Sequence, residues 1–261
     1  MLKKIVPVLI STFLLTACAT SPTGRSQLLI MPDTQVDQMG LQSFQTLKSQ
    51  KPISQNPQYN QLATCVAGAI TQSTGGNWEV VVFEDASPNA FALPGNKIGV
   101  YTGMITLVGG NQEQLAAVVG HEIGHVLAKH SNERASQDMA VNQGLGMVQA
   151  IGNPQSTLGQ TGMALLGLGA EYGILKPYSR EHESEADIIG MDLMAKAGFD
   201  PNQSITLWQK MDQAMQGQQP IEFMSTHPSH STRIQQLQQH LPQAMALFQQ
   251  AQATGKQPRC Q

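Results

Sequence analysis

The sequence predicts a single α+β domain, predominantly helical, with a small antiparallel sheet. Two observations carry this. Apolar residues recur at three- and four-residue spacing over most of the chain, whereas runs rich in β-branched and aromatic residues are confined to the stretch between Trp78 and Tyr101. A length of 261 residues suffices for one sizeable core. With 41% hydrophobic and 13% charged residues, the composition is globular but poor in charge, so Gln, Ser, Thr and Asn supply much of the polar surface. A formal charge of -3 and the absence of any Lys/Arg run give no electrostatic footprint for nucleic acid, which is excluded as a partner.

Taken in order, Lys3 and Lys4 precede an uncharged apolar run from Ile5 to Leu15, too short to span a bilayer, and residues 1–17 read as a signal peptide. The end of that run, Leu15-Thr16-Ala17-Cys18, resembles a bacterial lipobox, which implies cleavage before Cys18 and lipidation of its thiol. The alternative is an ordinary signal peptide cut at a small-residue site. Ala19 and Thr20, in place of Asp, favour by the same resemblance the outer membrane of a Gram-negative bacterium, with the protein facing the periplasm. With Cys18 acylated in an oxidising compartment, Cys65 and Cys260 are left either to pair with each other or to stay as two thiols; pairing is expected.

Residues 19 to about 34, with their Ser, Pro, Thr and Gly, read as a tether. A first helix is expected through Val36, Met39, Leu41, Phe44 and Leu47, broken at Lys51-Pro52, and a second from Pro57 to Thr71. Strands are expected at Trp78–Phe83, Ala90–Leu93 and Ile98–Tyr101, the last two joined by a Pro94-Gly95-Asn96 turn. Asn111 followed three residues on by Gln114 has the form of a helix N-cap and capping box, opening a helix to about His130. Gly120 and Gly124 weaken that helix by about 1 kcal/mol each relative to Ala, which points to another backbone packed along their ridge, with mere tolerance of the two glycines as the alternative. Residues 141–175 are glycine-rich and apolar but interrupted by Asn153, Pro154, Gln155 and Gln160, so buried or cleft-covering helices are expected there, not a membrane span. Further helices follow after Pro177 to near Gly198, from Asn202 to Met215 and from Ser231 to Ala253, with a loop at Thr226-His227-Pro228.

The chemistry is concentrated in His121-Glu122-Ile123-Gly124-His125. On a helix, positions i and i+4 share a face with Cβ atoms about 5–6 Å apart, so both imidazoles can reach one Zn²⁺, while Glu122 lies about 100° round and can act on a water there. This H-E-x-x-H pattern is that of zinc metallopeptidases. A catalytic zinc site usually has three protein ligands and an open position. The third ligand is sought among Glu181, Glu183, Glu185 and Asp187, of which Glu183 and Asp187 share one helical face; Glu181 and Glu185 are assigned to the outer face.

The H-E-x-x-H, then Glu183-Ser184-Glu185-Ala186-Asp187, then His227-Pro228 with Arg233, together resemble metallopeptidase family forty-eight, the family of HtpX, the CAAX prenyl endopeptidases, BepA and LoiP, over roughly residues 50–240. Asn89-Ala90-Phe91-Ala92-Leu93-Pro94-Gly95 resembles the sheet segment of that family, and a compact LoiP-like lipoprotein is the most similar form. The resemblance implies a zincin-like (gluzincin) fold, one Zn²⁺ held by His121, His125 and Glu183, Glu122 as general base, and Asp187 accepting the outer ring N–H of His121. It further implies that His227 either stabilises the oxyanion or fills the open metal position and silences the site, and that Arg233 positions the His227 loop. For these last two the alternatives are a structural imidazole and a helix-start ion pair. Ala90, Phe91 and Ala92 are candidates for pairing with an extended substrate, with ordinary sheet packing as the alternative. His130, His182, His230 and His240 are expected in solvent.

The resulting organisation is a signal peptide at 1–17, a lipidated N-terminus, tether and first helix at 18–50, a zinc metallopeptidase domain at 51–241, and a C-terminal helix end and tail at 242–261. By resemblance the substrates are unfolded or misassembled cell-envelope proteins, with outer-membrane assembly machinery as a further partner. The alternative from another class is a chaperone or assembly-factor lipoprotein whose peptidase activity is repressed or dispensable.

Overall fold

The apolar stripes predicted above do form helices, and these pack on one another around a long central one. A computed structural model describes residues 18–143, 178–215, 221–228 and 231–260. The signal segment 1–17, His230 and all of the glycine-rich stretch beyond residue 143 lie outside the described residues. Helix α1 spans Asp33–Gln50 and α2 spans Pro57–Thr71, the latter with Pro at its first position and Asn56 Oδ1 accepting from the Gln58 and Tyr59 amides. Strands β3 (Glu79–Phe83), β4 (Ala90–Leu93) and β5 (Lys97–Tyr101) follow, then α3 (Thr102–Leu107) and α4 (Gln112–Leu127), and α5 (His130–Gln143). After these come α6 (Arg180–Ala197), α7 (Asn202–Met215), α8 (Glu222–Thr226) and α9 (Ser231–Ala253). Among the described residues no helix is long and apolar enough to cross a membrane.

Three departures from the sequence reading matter for the site. The three-stranded sheet is antiparallel only in part: its order is β3-β5-β4, with β4 antiparallel and β3 parallel to β5. The hairpin joining β4 to β5 fixes the antiparallel pair, but β3 joins on the far side of β5, a choice that no local turn specifies. The expected tether is instead a hairpin of β1 (Cys18–Thr20) and β2 (Ser26–Leu28), closed by a Ser21–Gly24 turn in which the Gly24 amide donates to the Ser21 carbonyl at 2.9 Å. Three-residue strands are too short to show alternation, and turn residues have the composition of a tether. The expected helix from Asn111 to His130 stops at Leu127, because Lys129 adopts a φ of 54° and the chain re-enters a helix at His130 in a new direction. No Gly, Pro or Asn marks that break in the sequence.

The core runs through α2, the sheet, α4, α6, α7 and α9, with Val66, Ile70, Ile98, Leu115, Val119, Ile123, Met191 and Phe199 among its buried members. A second aromatic cluster of Phe44, Phe83, Phe91 and Tyr101 fills the other side of the sheet under α1. Helices α4 and α6 approach closely enough for their backbones to meet. A Cβ on Gly120 would lie 2.7 Å from the Gly190 carbonyl oxygen, one on Gly124 would lie 2.8 Å from that of Ala186, and one on Gly190 would lie 2.6 Å from the His121 nitrogen. The glycines therefore let two backbones touch, as their sequence positions predicted. At the end of α6, where the sequence reading ends the helix, Gly198 takes a φ of 94° and forms a left-handed cap. Cys65 on α2 and Cys260 in the tail are joined as a disulfide with Cα atoms 5.4 Å apart, tying the C-terminus to the helix layer.

Candidate metal centre

Contact between α4 and α6 brings the two halves of the sequence motif together. His121 and His125, one turn apart on α4, direct their Nε2 atoms at one point, 3.1 Å from each other. From α6, Glu183 enters the same point, with Oε2 3.4 Å from His121 Nε2 and Oε1 3.4 Å from His125 Nε2. His227, which ends α8, adds Nδ1 at 3.2 Å from His121 Nε2 and 3.0 Å from Glu183 Oε1. All four are buried and their ligand atoms lie within 4.8 Å of one another. A tetrahedron around a zinc ion with bonds of about 2.0–2.1 Å has edges of roughly 3.3 Å, so this donor set matches a zinc site in type and in size.

The surrounding charges hold these groups in metal-binding form. Burial works against the Glu183 charge, but His227, Arg233 and the two histidine hydrogen bonds hold its pKa well below the usual carboxylate range. Its Oε2 accepts no hydrogen bond of proper alignment, the 2.8 Å contact of Arg233 Nη1 being ion pairing without that directionality. A buried carboxylate oxygen left so, beside converging imidazole nitrogens, fits a cation at the centre. Burial depresses the pKa of His125 well below normal, which favours the neutral imidazole a metal requires. His121 donates Nδ1–H to Asp187 Oδ1 at 2.9 Å, leaving its Nε2 lone pair inward. Asp187 is in turn gripped by Arg233, whose Nη2 donates to Oδ1 at 2.9 Å and whose Nε donates to Oδ2. The guanidinium carbon lies 3.4 Å from the centroid of the Trp208 ring, so Arg233 is a fully buried cation with its charge met on several sides.

Glu122 sits beside the cluster as its helical position requires. Burial raises its pKa to about 7, with His227 opposing that rise. Its Oε2 accepts from the Ala92 amide of β4 at 3.3 Å, and its Oε1 lies 3.3 Å from His227 Nε2 with no aligned donor. Thus β4, one of the two outer strands of the sheet, runs along the site. The side chains of Ala90 and Ala92 are buried in the main core and Phe91 in the aromatic cluster, so what β4 offers a ligand is its backbone. Cys18 opens β1 with its backbone opposite Leu28.

Sequence reasoning brought His121, Glu122, His125, Glu183, Asp187, His227 and Arg233 to one place, and the structure puts them together. Arg233 Nη1 lies 3.5 Å from the His227 carbonyl, while the stronger bonds of that guanidinium go to Asp187. Three expectations fail. His130 and His182 are buried, not in solvent, and His130 Nδ1 lies 2.8 Å from His125 Nδ1. The turn at Lys129 brings His130 back to the site, where an unbroken helix would have carried it away. His240 is mostly covered and pairs with Asp192 at 2.7 Å, because α9 packs along α6. Glu185 also faces inward, bonded to His130 and Arg25, while Glu181 is exposed as expected. Sequence reasoning missed Tyr178, whose ring stacks on His125 at 4.0 Å between centroids, and Arg25, which no motif marks.

A model of peptidase family M48 matches residues 54–241. Among curated relatives, the mitochondrial metalloendopeptidase OMA1 of Schizosaccharomyces pombe is 40% identical over 178 residues, 67% of this chain and 50% of that protein. OMA1 of Saccharomyces cerevisiae is 35% identical over 185 residues, 68% of this chain and 51% of that protein. The metalloprotease LoiP of Escherichia coli is 27% identical over 219 residues, 82% of this chain and 84% of LoiP. The chain thus spans about half the length of the first two. The expected location, a lipid anchor at the outer membrane of a Gram-negative bacterium, is overturned by these matches, since the higher identities are to proteins named as mitochondrial. The location is read from residues 1–20 alone, a targeting segment outside the matched region 54–241, so nothing in the packing of the domain bears on it. Because the family match covers most of the sequence and includes every residue of the buried cluster, the chain belongs to peptidase family M48.

Proposed function

We propose that the protein is a zinc-dependent endopeptidase that cuts extended segments of unfolded or misassembled proteins. The observation that carries this reading is the buried convergence of His121, His125 and Glu183 with Glu122 beside them. His121, His125 and Glu183 would hold the ion. Bound zinc supplies Lewis acidity, acidifying a water molecule and polarising the scissile carbonyl. Glu122 takes the proton of the attacking water and returns it to the leaving amine, so no covalent acyl-enzyme forms. Asp187 keeps the His121 proton on Nδ1, and Arg233 keeps Asp187 charged and oriented. Among the described residues β4 is paired by β5 alone, and its other edge, where Glu122 meets the Ala92 amide, can take an extended peptide by strand addition, which favours unfolded chains over folded ones.

His227 supports a second reading, in which the geometry described is a latent state. Its Nδ1 takes a fourth corner of the cluster and its Nε2 lies 3.3 Å from Glu122, in the place a substrate carbonyl or water would use. Turnover then requires the His227 loop to swing away, after which the same imidazole can face the oxyanion.

The test is cleavage of an unfolded protein by the zinc-loaded wild type, by Glu122→Gln and by His227→Ala. Loss of the general base lowers turnover by about 10²–10⁴-fold with zinc retained. Equal turnover by wild type and Glu122→Gln removes Glu122 from the mechanism. Zinc binding with no turnover by either favours a binding module, such as a chaperone or assembly factor, unless His227→Ala releases activity, which identifies latency.

A further inference from the structure

The outer nitrogen of His125 is held by a relay that begins in the N-terminal hairpin. The Nε2 of His125 faces the cluster, so Nδ1 is the nitrogen whose proton must be fixed elsewhere. For His121 that task falls directly to Asp187, itself gripped by Arg233. For His125 the partner is His130 Nδ1 at 2.8 Å, and two ring nitrogens so close share one proton. The other nitrogen of His130, Nε2, lies 3.1 Å from Glu185 Oε2, a carboxylate that only accepts. Neutral His130 therefore carries its proton on Nε2 and offers a bare Nδ1. His125 must then donate from Nδ1, which leaves the Nε2 lone pair pointing at the metal position.

Glu185 is oriented by Arg25, whose Nε and Nη2 donate to Oε2 at 3.0 and 2.9 Å, while Thr23 Oγ1 donates to Oε1. The same guanidinium forks onto Glu133 of α5, Nη1 to Oε1 at 2.7 Å and Nη2 to Oε2 at 2.6 Å. Gln27 completes the clamp, donating to Glu133 Oε2 at 2.9 Å and to the Ala128 carbonyl at 2.6 Å. His182 donates toward Glu133 at 3.1 Å and stacks on His130 with centroids 4.4 Å apart. Each imidazole of α4 is thus backed by a carboxylate and an arginine, directly for His121 and through His130 for His125.

We propose that Arg25 is a positioning residue of the metal centre: through Glu185 and His130 it fixes His125 in the tautomer that binds metal, making the site depend on a docked hairpin. This rests on the metal-binding reading above. The closing experiment measures zinc affinity of the full-length chain by competition with a chromophoric chelator, independently of turnover. The variants are Arg25→Gln, Glu185→Gln, their double, Arg25→Lys, and Lys48→Ala, which cuts the ion pair with Glu79 away from the site and serves as control. Arg25→Gln and Glu185→Gln each weaken zinc binding by about 10–100-fold. The double variant is no weaker than the worse single one, Arg25→Lys recovers part of the loss, and Lys48→Ala binds as wild type. Wild-type affinity in both Arg25→Gln and Glu185→Gln overturns the relay; if Arg25→Gln does not fold, the isosteric Glu185→Gln decides alone. A loss equal in Lys48→Ala also overturns it, since general loosening then explains the effect. Wild-type protein that fails to bind zinc overturns the relay together with the metal reading, whereas tight zinc binding without peptidase activity overturns only the latter.

Discussion

Gly190→Ala should open the metal centre without altering any of its side chains. A Cβ at position 190 would lie 2.6 Å from the His121 nitrogen, 2.8 Å from the Gly120 carbonyl carbon and 2.8 Å from the His121 Cα. Ordinary contact is about 3.5 Å, so α4 and α6 must separate locally by about 1 Å. All three atoms are backbone and no side-chain rotation relieves the clash. Overpacking of this kind costs about 1–3 kcal/mol, offset by about 1 kcal/mol of helix propensity gained on replacing Gly. The expected net loss of stability is thus modest, roughly 0–2 kcal/mol by denaturant unfolding. The effect on the site is larger, because the 3.4 Å edges from His121 and His125 to Glu183 are the ones that cross between the two helices. A misplacement of about 1 Å lowers kcat/KM by about 10²-fold, with zinc affinity falling in parallel. Chelator competition and cleavage of an unfolded protein read both. Unchanged zinc affinity in a folded Gly190→Ala protein would refute the claim that close helix contact sets the ligand geometry.

Three further outcomes follow from the same structure. Removing zinc with a chelator should abolish turnover and lower Tm by roughly 5–10 °C relative to protein held at a zinc concentration about 100 times Kd, both restored by zinc; an unchanged Tm would mean that no ion links α4 to α6. Arg233→Met leaves Asp187 and Glu183 as buried carboxylates without their cation, which should destabilise the metal-free protein by about 3–5 kcal/mol in denaturant unfolding; a loss below about 1 kcal/mol contradicts the assignment of Arg233 as a buried counter-ion. Reducing the Cys65–Cys260 bond, which closes a loop of 195 residues, should cost about 2–4 kcal/mol. Replacement of both by Ser with no change in the unfolding midpoint would show that the bond restrains nothing.

The local features of the chain were legible because their physics is local. The spacing of His121 and His125 fixes a shared helix face, Asn111 and Gly198 mark helix ends through their own backbone chemistry, and Gly120 with Gly124 announce a close neighbour. The sequence also carried Glu183, Asp187, His227 and Arg233, though only as parts of a family pattern, since nothing in their own spacing says that they meet His121. What the tertiary structure decided was direction. The left-handed turn at Lys129 sends His130 back against His125, and the roll of α6 on α4 turns Glu185 inward where helical position alone put it outside. It also folded residues 18–28 into a docked hairpin and placed β3 parallel to β5. Arg25 belongs wholly to this second category. A single arginine in a Ser-Pro-Thr-Gly stretch has no periodicity to read, and it acquires a role only when Glu133 and Glu185, 108 and 160 residues away, are brought to either side of it by packing.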